Sequence, residues 1–380
     1  MTAAASLFEF PPLTTLTLVR DDTETALSDA ERLVVENRHD EAVERLETLW
    51  EDVRGDAALA LRQRLALSWS AMYLGRLEES AELLAHADKI AQSSRFDAGD
   101  RAEVLYRRGC VALKRADVAE ATSFFTRALD LNEHAPRPRP LLAAQAHEWR
   151  SRCHQFRRDW DAAARDAERS LELATRAGDE PSQAHALFQA SCISERRREW
   201  LVARFYAERA LELYRKHGDT LATARVLNNL GGIDFLLGDV PSAEQHLAAA
   251  VETASAAGSD VDLAQAVNTL AHVYLRTGRP AEARVRAERA VELLTGRTDF
   301  RDELGNAQLV VARSLAAEGE PALAVTWIDE AERTFETLGS ASHLAAAWLV
   351  RGDLARETGD LETAARLFRR AADSLQDIHL

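Results

Sequence analysis

Small residues return along this chain at a fixed spacing, and little else about it constrains the fold as tightly. A first set stands at Ala30, Ser68, Gly109, Ser151, Ser191, Gly231, Ala271, Ala312 and Gly352. Twelve residues after each lies a member of a second set: Ala42, Ser80, Ala121, Ala163, Ala203, Ala243, Ala283, Ala324 and Ala364. Seven further on comes a third: Leu49, Ala87, Ala128, Ser170, Ala210, Ala250, Ala290, Ala331 and Ala371. Only Leu49 is neither alanine, glycine nor serine. A period of about 40 residues sustained over the whole chain describes a stack of one supersecondary unit, not a globular domain with one closed core. Such a stack presents a long wall of side chains, which favours binding over catalysis.

The sixth period shows the unit most clearly. The chain as a whole is rich in alanine and leucine with much glutamate and arginine, all good helix formers. A first helix over 224–236 ends at Gly238, since glycine takes the left-handed conformation past a helix end without penalty. Asp239-Val240-Pro241 opens a second helix, with the proline in the first turn where its missing N–H costs nothing. Ala243, Leu247 and Ala250 line one face of it at spacings of four and three. The same glycine punctuation recurs at Gly75, Gly278, Gly319 and Gly359 within units. Between units it recurs at Gly178, Gly218 and Gly339. Each unit therefore reads as an antiparallel helical hairpin, its small residues letting helices approach closely.

These hairpins resemble tetratricopeptide repeats over roughly residues 23–375. The resemblance rests on Leu230-Gly231, Ala243, Leu247 and Ala250, and on Leu270-Ala271, Tyr274, Ala283, Ala287 and Ala290. Family units run to about 34 residues, so the longer period here implies longer helices, as in the ligand-sensing half of bacterial helix-turn-helix transcription regulators. The fold expected is all-α: a right-handed α-solenoid of about nine helical-hairpin repeats with a period of about 40 residues. Residues 1–22 are expected as an N-terminal extension or cap, 23–375 as the repeat superhelix and 376–380 as a tail. The apolar run Leu7-Phe8-Glu9-Phe10-Pro11-Pro12 suits a cover for the exposed end of a stack. Alternating prolines at 136, 138 and 140 cannot continue a helix and predict a stiff connector between the third and fourth units.

Charge and cysteine usage narrow the partners. A formal charge of −15 argues against a nucleic-acid footprint over the whole surface. No positively charged leader opens the chain and no apolar segment is long enough to span a bilayer, so a cytoplasmic protein without membrane contact is expected. Cys110, Cys153 and Cys192 cannot all pair, and neither they nor the histidines show metal-ligand spacing. No phosphate loop, nucleophile elbow or zinc pattern is present, and no cofactor or catalytic residue is expected.

The resemblance places first helices on a concave wall. Residues one helical turn apart, opposite the hairpin contact, then face the groove. They are Tyr106 and Arg107; Trp149 and Arg152; His185, Gln189 and Arg196; Arg225, Asn228 and Asn229; and Asn268, His272 and Arg276. Amides can bond a peptide main chain, arginines can grip a carboxylate, and rings can hold side chains. Asn229 leads this set, because Leu227-Asn228-Asn229-Leu230-Gly231 resembles the asparagine-bearing first helix with which repeat proteins grip a ligand backbone. Trp149 is expected on the groove wall, since the small-residue core spacing excludes it. The function expected is a non-catalytic adaptor in bacterial signalling or transcription regulation, taking a peptide or protein segment in its groove. A DNA-binding regulator in trans is a further candidate partner. Alternatives are a small-molecule sensor, a self-associating scaffold, and a response-regulator phosphatase, for which the residues before the first unit are too few to supply the extra helical bundle.

Overall fold

The computed structural model describes residues 13–376 of the chain, so the apolar run at 7–12 and the last four residues lie outside it. The helices, in order, are α1 (Leu13–Val35), α2 (His39–Thr48), α3 (Trp50–Val53), α4 (Ala57–Tyr73), α5 (Leu77–Ala91), α6 (Ala98–Lys114), α7 (Val118–Glu133), α8 (Pro140–Phe156), α9 (Trp160–Ala177) and α10 (Glu180–Arg196). They continue as α11 (Trp200–Lys216), α12 (Thr220–Leu236), α13 (Val240–Ala256), α14 (Asp260–Arg276), α15 (Pro280–Leu294), α16 (Arg301–Ala317), α17 (Pro321–Leu338), α18 (Ala341–Glu357) and α19 (Leu361–Gln376). Among the described residues there is no strand. Apart from the one-turn α3, the helices of the described residues form nine hairpins, an all-α solenoid of such repeats. No described helix is long and apolar enough to cross a membrane.

Size matching at the hairpin contact explains the three glycines of the first set. The residue sixteen positions after each first-set member packs against it. Gly109 faces Phe125, Gly231 faces Leu247 and Gly352 faces Phe368. A Cβ on Gly231 would sit 2.4 Å from Leu247 Cγ, and one on Gly109 or Gly352 2.6 Å from the facing ring. Where the facing residue shrinks to Ala167, Ala207 or Ala287, the first position carries Ser151, Ser191 or Ala271. Apart from Leu49, every member of the three sets is buried. Serines add a bond across the hairpin: Ser151 Oγ donates to the Ala163 carbonyl at 2.8 Å and Ser191 Oγ to the Ala203 carbonyl at 2.9 Å.

The turns behave as the glycines imply, with one extension. The residue two places after the first helix is left-handed in every hairpin: Gly75, Gly238, Gly278, Gly319 and Gly359, but also Asn37, Ala116, Arg158 and Arg198 at φ of 58° to 63°. The proline segment is the stiff connector expected, with Pro140 opening α8. Asn132 closes it, donating to the Arg139 carbonyl at 3.2 Å and accepting from its N–H at 3.0 Å.

Contacts divide the chain into two compact units, the boundary falling within α10 between Ala186 and Leu187. The first unit is rich in rings, with Tyr106, Phe124, Phe125 and Trp149 in one cluster. The second is built from aliphatic side chains such as Ala271, Ala283, Val310 and Ile328, with Phe335 in an adjoining cluster. In the second unit successive first helices touch, α12 with α14, α14 with α16 and α16 with α18. Second helices meet chiefly their neighbours in sequence, so the first helices form the inner wall of that unit. In the first unit α4 with α6 and α6 with α8 repeat the arrangement.

Candidate functional site

The inner wall of the first unit is closed upon itself. Arg107 donates to Glu103 at 2.9 Å and to the Leu65 carbonyl at 3.2 Å, and its guanidinium lies 5.1 Å from the centre of the Trp69 ring. Glu103 also accepts from Arg139 at 3.1 Å, and Arg139 binds Asp100 as well. Arg62 holds Glu31 at 2.6 Å and Glu24 at 3.2 Å. Arg152 bonds Glu148 at 2.5 Å and covers Trp149 from 4.7 Å. The Nε atoms of Arg107 and Arg152 are buried without a partner, as are His39 Nε2 and Gln63 Oε1 elsewhere in this unit. A cavity of about 470 Å³ opens between these residues and Val34, Leu61 and Phe96, but its arginines are already neutralised.

Two expectations fail in this unit. Tyr106 and Trp149, assigned to the groove wall, are 6% and 8% exposed and belong to the core. Their rings flank Phe125, with centroids 6.2 and 6.5 Å away. Arg152, three positions on, covers Trp149, and the Tyr106 hydroxyl lies against the equally buried Cys110. Burial raises the Tyr106 hydroxyl well above its usual pKa and pushes the Cys110 thiol up too, so neither ionises in use.

In the second unit the wall is not closed. Ser191 Oγ and Asn229 Oδ1 lie 2.9 Å apart, and Asn229 Nδ2 donates to Glu195 Oε2 at 2.7 Å. Asn229 is thus engaged by its own protein. Burial pushes the Glu195 carboxyl up, against the lowering effect of Arg196 and of the Asn229 bond. Arg225 pairs with Asp262 at 2.6 Å. Asn228 and Asn268 stand one period apart on α12 and α14, and their side chains make no hydrogen bond among the described residues; Oδ1 of each is buried and unpartnered. Asparagine within a helix is mildly unfavourable, and an unpaired buried amide oxygen costs further.

Cations on this wall are also left over. Arg276 and Arg313 have no carboxylate partner among the described residues, Arg276 resting 5.5 Å from the Phe235 ring centre. Between Arg276 and Arg313 sits His272, held neutral down to a pKa of about 4 by burial first, then by those two guanidiniums. Arg313 lines a pocket of about 350 Å³ with an apolar floor of Leu275, Ala312, Ile328, Val350 and Leu354 and with Asp353 and Arg356 beside it. In the first turn of α16 burial, with Asp302 beside it, pushes the Glu303 carboxyl up to about 7, and its Oε1 accepts from Gln265 at 3.4 Å. Of the other expected residues, His185 is exposed and Gln189 half-buried.

Site reading from sequence thus named Asn228, Asn268, His272 and Arg276 together and overlooked the pocket floor. Leu275, Val350 and Leu354 gave no signal, because an apolar residue on a helix reads as core until its cover is seen to be missing.

Residues 222–295 match the tetratricopeptide-repeat family. That stretch, which takes in α13, α14, α15 and all but the start of α12, reads as tetratricopeptide repeats. The matched stretch contains Asn228, Asn229, Asn268, His272 and Arg276. No curated protein matches the sequence. Among solved structures, a Rap protein complexed with competence and sporulation factor shares 16% identity at a TM-score of 0.68, covering 94% of this chain and 99% of its own. NprR in complex with its cognate peptide NprX shares 12% at 0.58, covering 93% and 99%. Aspartyl phosphate phosphatase F from Bacillus subtilis shares 13% at 0.58, covering 80% and 82%. At such identities the likeness establishes the fold.

Proposed function

We propose that this protein is a non-catalytic sensor or adaptor that binds an extended peptide along the inner wall of its second unit. The single observation that carries the reading is the pair of unengaged amides, Asn228 and Asn268. An asparagine offers one acceptor and two donors, matching the C=O and N–H of a main chain in strand conformation. First helices of adjacent hairpins stand about 10 Å apart, so two amides on neighbouring helices meet main-chain groups about three residues apart at 3.3 Å per residue. Arg276 and Arg313 supply an anion site next to them, and the pocket beside Arg313 takes an apolar side chain. On the inner wall of the first unit Arg107, Arg139 and Arg152 are paired with carboxylates, and among the described residues it shows no such pair of amides on neighbouring first helices. The solved complex of NprR with its peptide supports the same reading by fold. We propose a DNA-binding regulator in trans as a further partner, consistent with the acidic chain.

Calorimetric titration with a panel of short synthetic peptides tests this. Asn228→Ala with Asn268→Ala should raise Kd about tenfold, or roughly 1.4 kcal/mol, with the melting temperature unchanged or higher. A double variant that binds every peptide as well as wild type would remove both residues from the site. The phosphatase likeness favours a second reading, acceleration of aspartyl-phosphate hydrolysis. Incubation with phosphorylated response regulators decides it, since a binding protein leaves their phosphate lifetime unchanged.

A further inference from the structure

The outer face of α11 departs from the other second helices of its unit. Leu201 is 72% exposed, Phe205 54% and Val202 43%. At spacings of one and four residues they share one face of the helix. The same three heights carry Pro241, Ser242 and Gln245 on α13, and Glu362, Thr363 and Arg366 on α19. On α15 and α17 a single large apolar residue is exposed there, Val285 and Leu323. Outward positions of a repeat stack gain nothing from apolar side chains unless something covers them, and a contiguous exposed apolar patch marks an interaction surface.

Charge narrows what the cover is. Residues 196–209 hold five arginines against two glutamates, a local excess of three positive charges in a chain of −15. Arg197 pairs with Glu199 at 3.0 Å, and Arg204 with Glu208 at 2.9 Å. Arg198, held left-handed in the turn before α11, and Arg209, 5.7 Å from the centre of the Phe205 ring, have no carboxylate partner among the described residues. Two free guanidiniums therefore frame an apolar centre. Double-stranded nucleic acid would leave Leu201 and Phe205 uncovered, since its outer surface is phosphate and sugar. We propose that this face of α11 docks an acidic amphipathic segment of a partner protein, apolar residues over Leu201, Val202 and Phe205 and carboxylates on Arg198 and Arg209. The site lies on a different face from the peptide wall and does not depend on it.

Two synthetic helical peptides test the proposal by fluorescence anisotropy: one carries a leucine–phenylalanine stripe flanked by glutamates, the other the same stripe flanked by lysines. The glutamate peptide should bind saturably and more weakly as salt rises. Leu201→Glu with Phe205→Glu, and separately Arg209→Glu, should each weaken it about tenfold. These side chains are exposed, so thermal melts should match wild type, and Asn228→Ala with Asn268→Ala should leave this binding untouched. The proposal is overturned by absence of saturable binding, by equal binding of the lysine peptide, or by indifference to the α11 variants. It is also overturned if phosphatidylglycerol vesicles or duplex DNA outcompete the glutamate peptide. Sedimentation that shows self-association lost in the Leu201→Glu/Phe205→Glu variant would make a second copy the occupant instead.

Discussion

At the scale of single residues the chain works by matching volumes across a hairpin. Gly231 is glycine because Leu247 fills the space its Cβ would take, at 2.4 Å. Gly231→Ala should therefore cost about 1–3 kcal/mol by overpacking, read as a shift in denaturant midpoint. In a Leu247→Ala background the same change should be neutral or stabilising, since it recreates the Ala271/Ala287 pair, and a double-mutant cycle measures that coupling. An equal cost in both backgrounds would show that the contact does not set the residue. His272 supplies a second residue-scale prediction. Its folded pKa is depressed to about 4 from 6.5, so the unfolded chain binds more protons between those values. The neutral imidazole thus stabilises the fold fully above pH 6.5 and loses that contribution as pH falls toward 4. Between pH 7 and 5 the loss is of order 1–2 kcal/mol, and His272→Gln should flatten that slope in urea titrations. The small residues were legible in the sequence because steric approach needs only their size. The burial of Tyr106 and Trp149 was not, because it depends on how both rings settle against Phe125 of another helix and on Arg152 covering Trp149.

At the scale of elements, each hairpin turns through one left-handed residue. Glycine adopts that conformation freely, whereas an L side chain there costs about 1–2 kcal/mol. Arg158 pays it at φ 58°, yet its side chain has no ion pair among the described residues. Arg158→Gly should accordingly raise stability by about 0.5–1 kcal/mol, the larger unfolded-state entropy of glycine offsetting part of the gain. A lower melting temperature would mean that Arg158 makes contacts worth more than the strain. Turns at Gly75, Gly238, Gly278, Gly319 and Gly359 were readable from the glycine itself. Those at Ala116, Arg158 and Arg198 were readable only from the period, since no local residue announces them.

At the scale of the whole molecule, stability in a repeat stack is close to a sum of hairpins and nearest-neighbour interfaces. Deleting residues 258–297 in frame removes α14 and α15 and joins α13 to the segment leading into α16. The product should keep the helical ellipticity per residue of the parent and melt only some degrees lower. It should lose peptide binding, because Asn268, His272 and Arg276 leave with the hairpin. A chain that unfolds on deletion would refute interchangeable repeats, and one that still binds would move the site elsewhere.

The hairpin stack itself was determined by sequence alone, since period, helix punctuation and side-chain size act over a few residues and survive translation into any similar array. Tertiary structure decided which polar groups on the first helices are consumed by one another. Asn229 meets Glu195 from 34 residues away, and Arg107 meets Leu65 from 42. Partners at that range depend on how one hairpin settles upon the next, so the amides of Asn228 and Asn268 emerge as the free ones only after every other pair has closed.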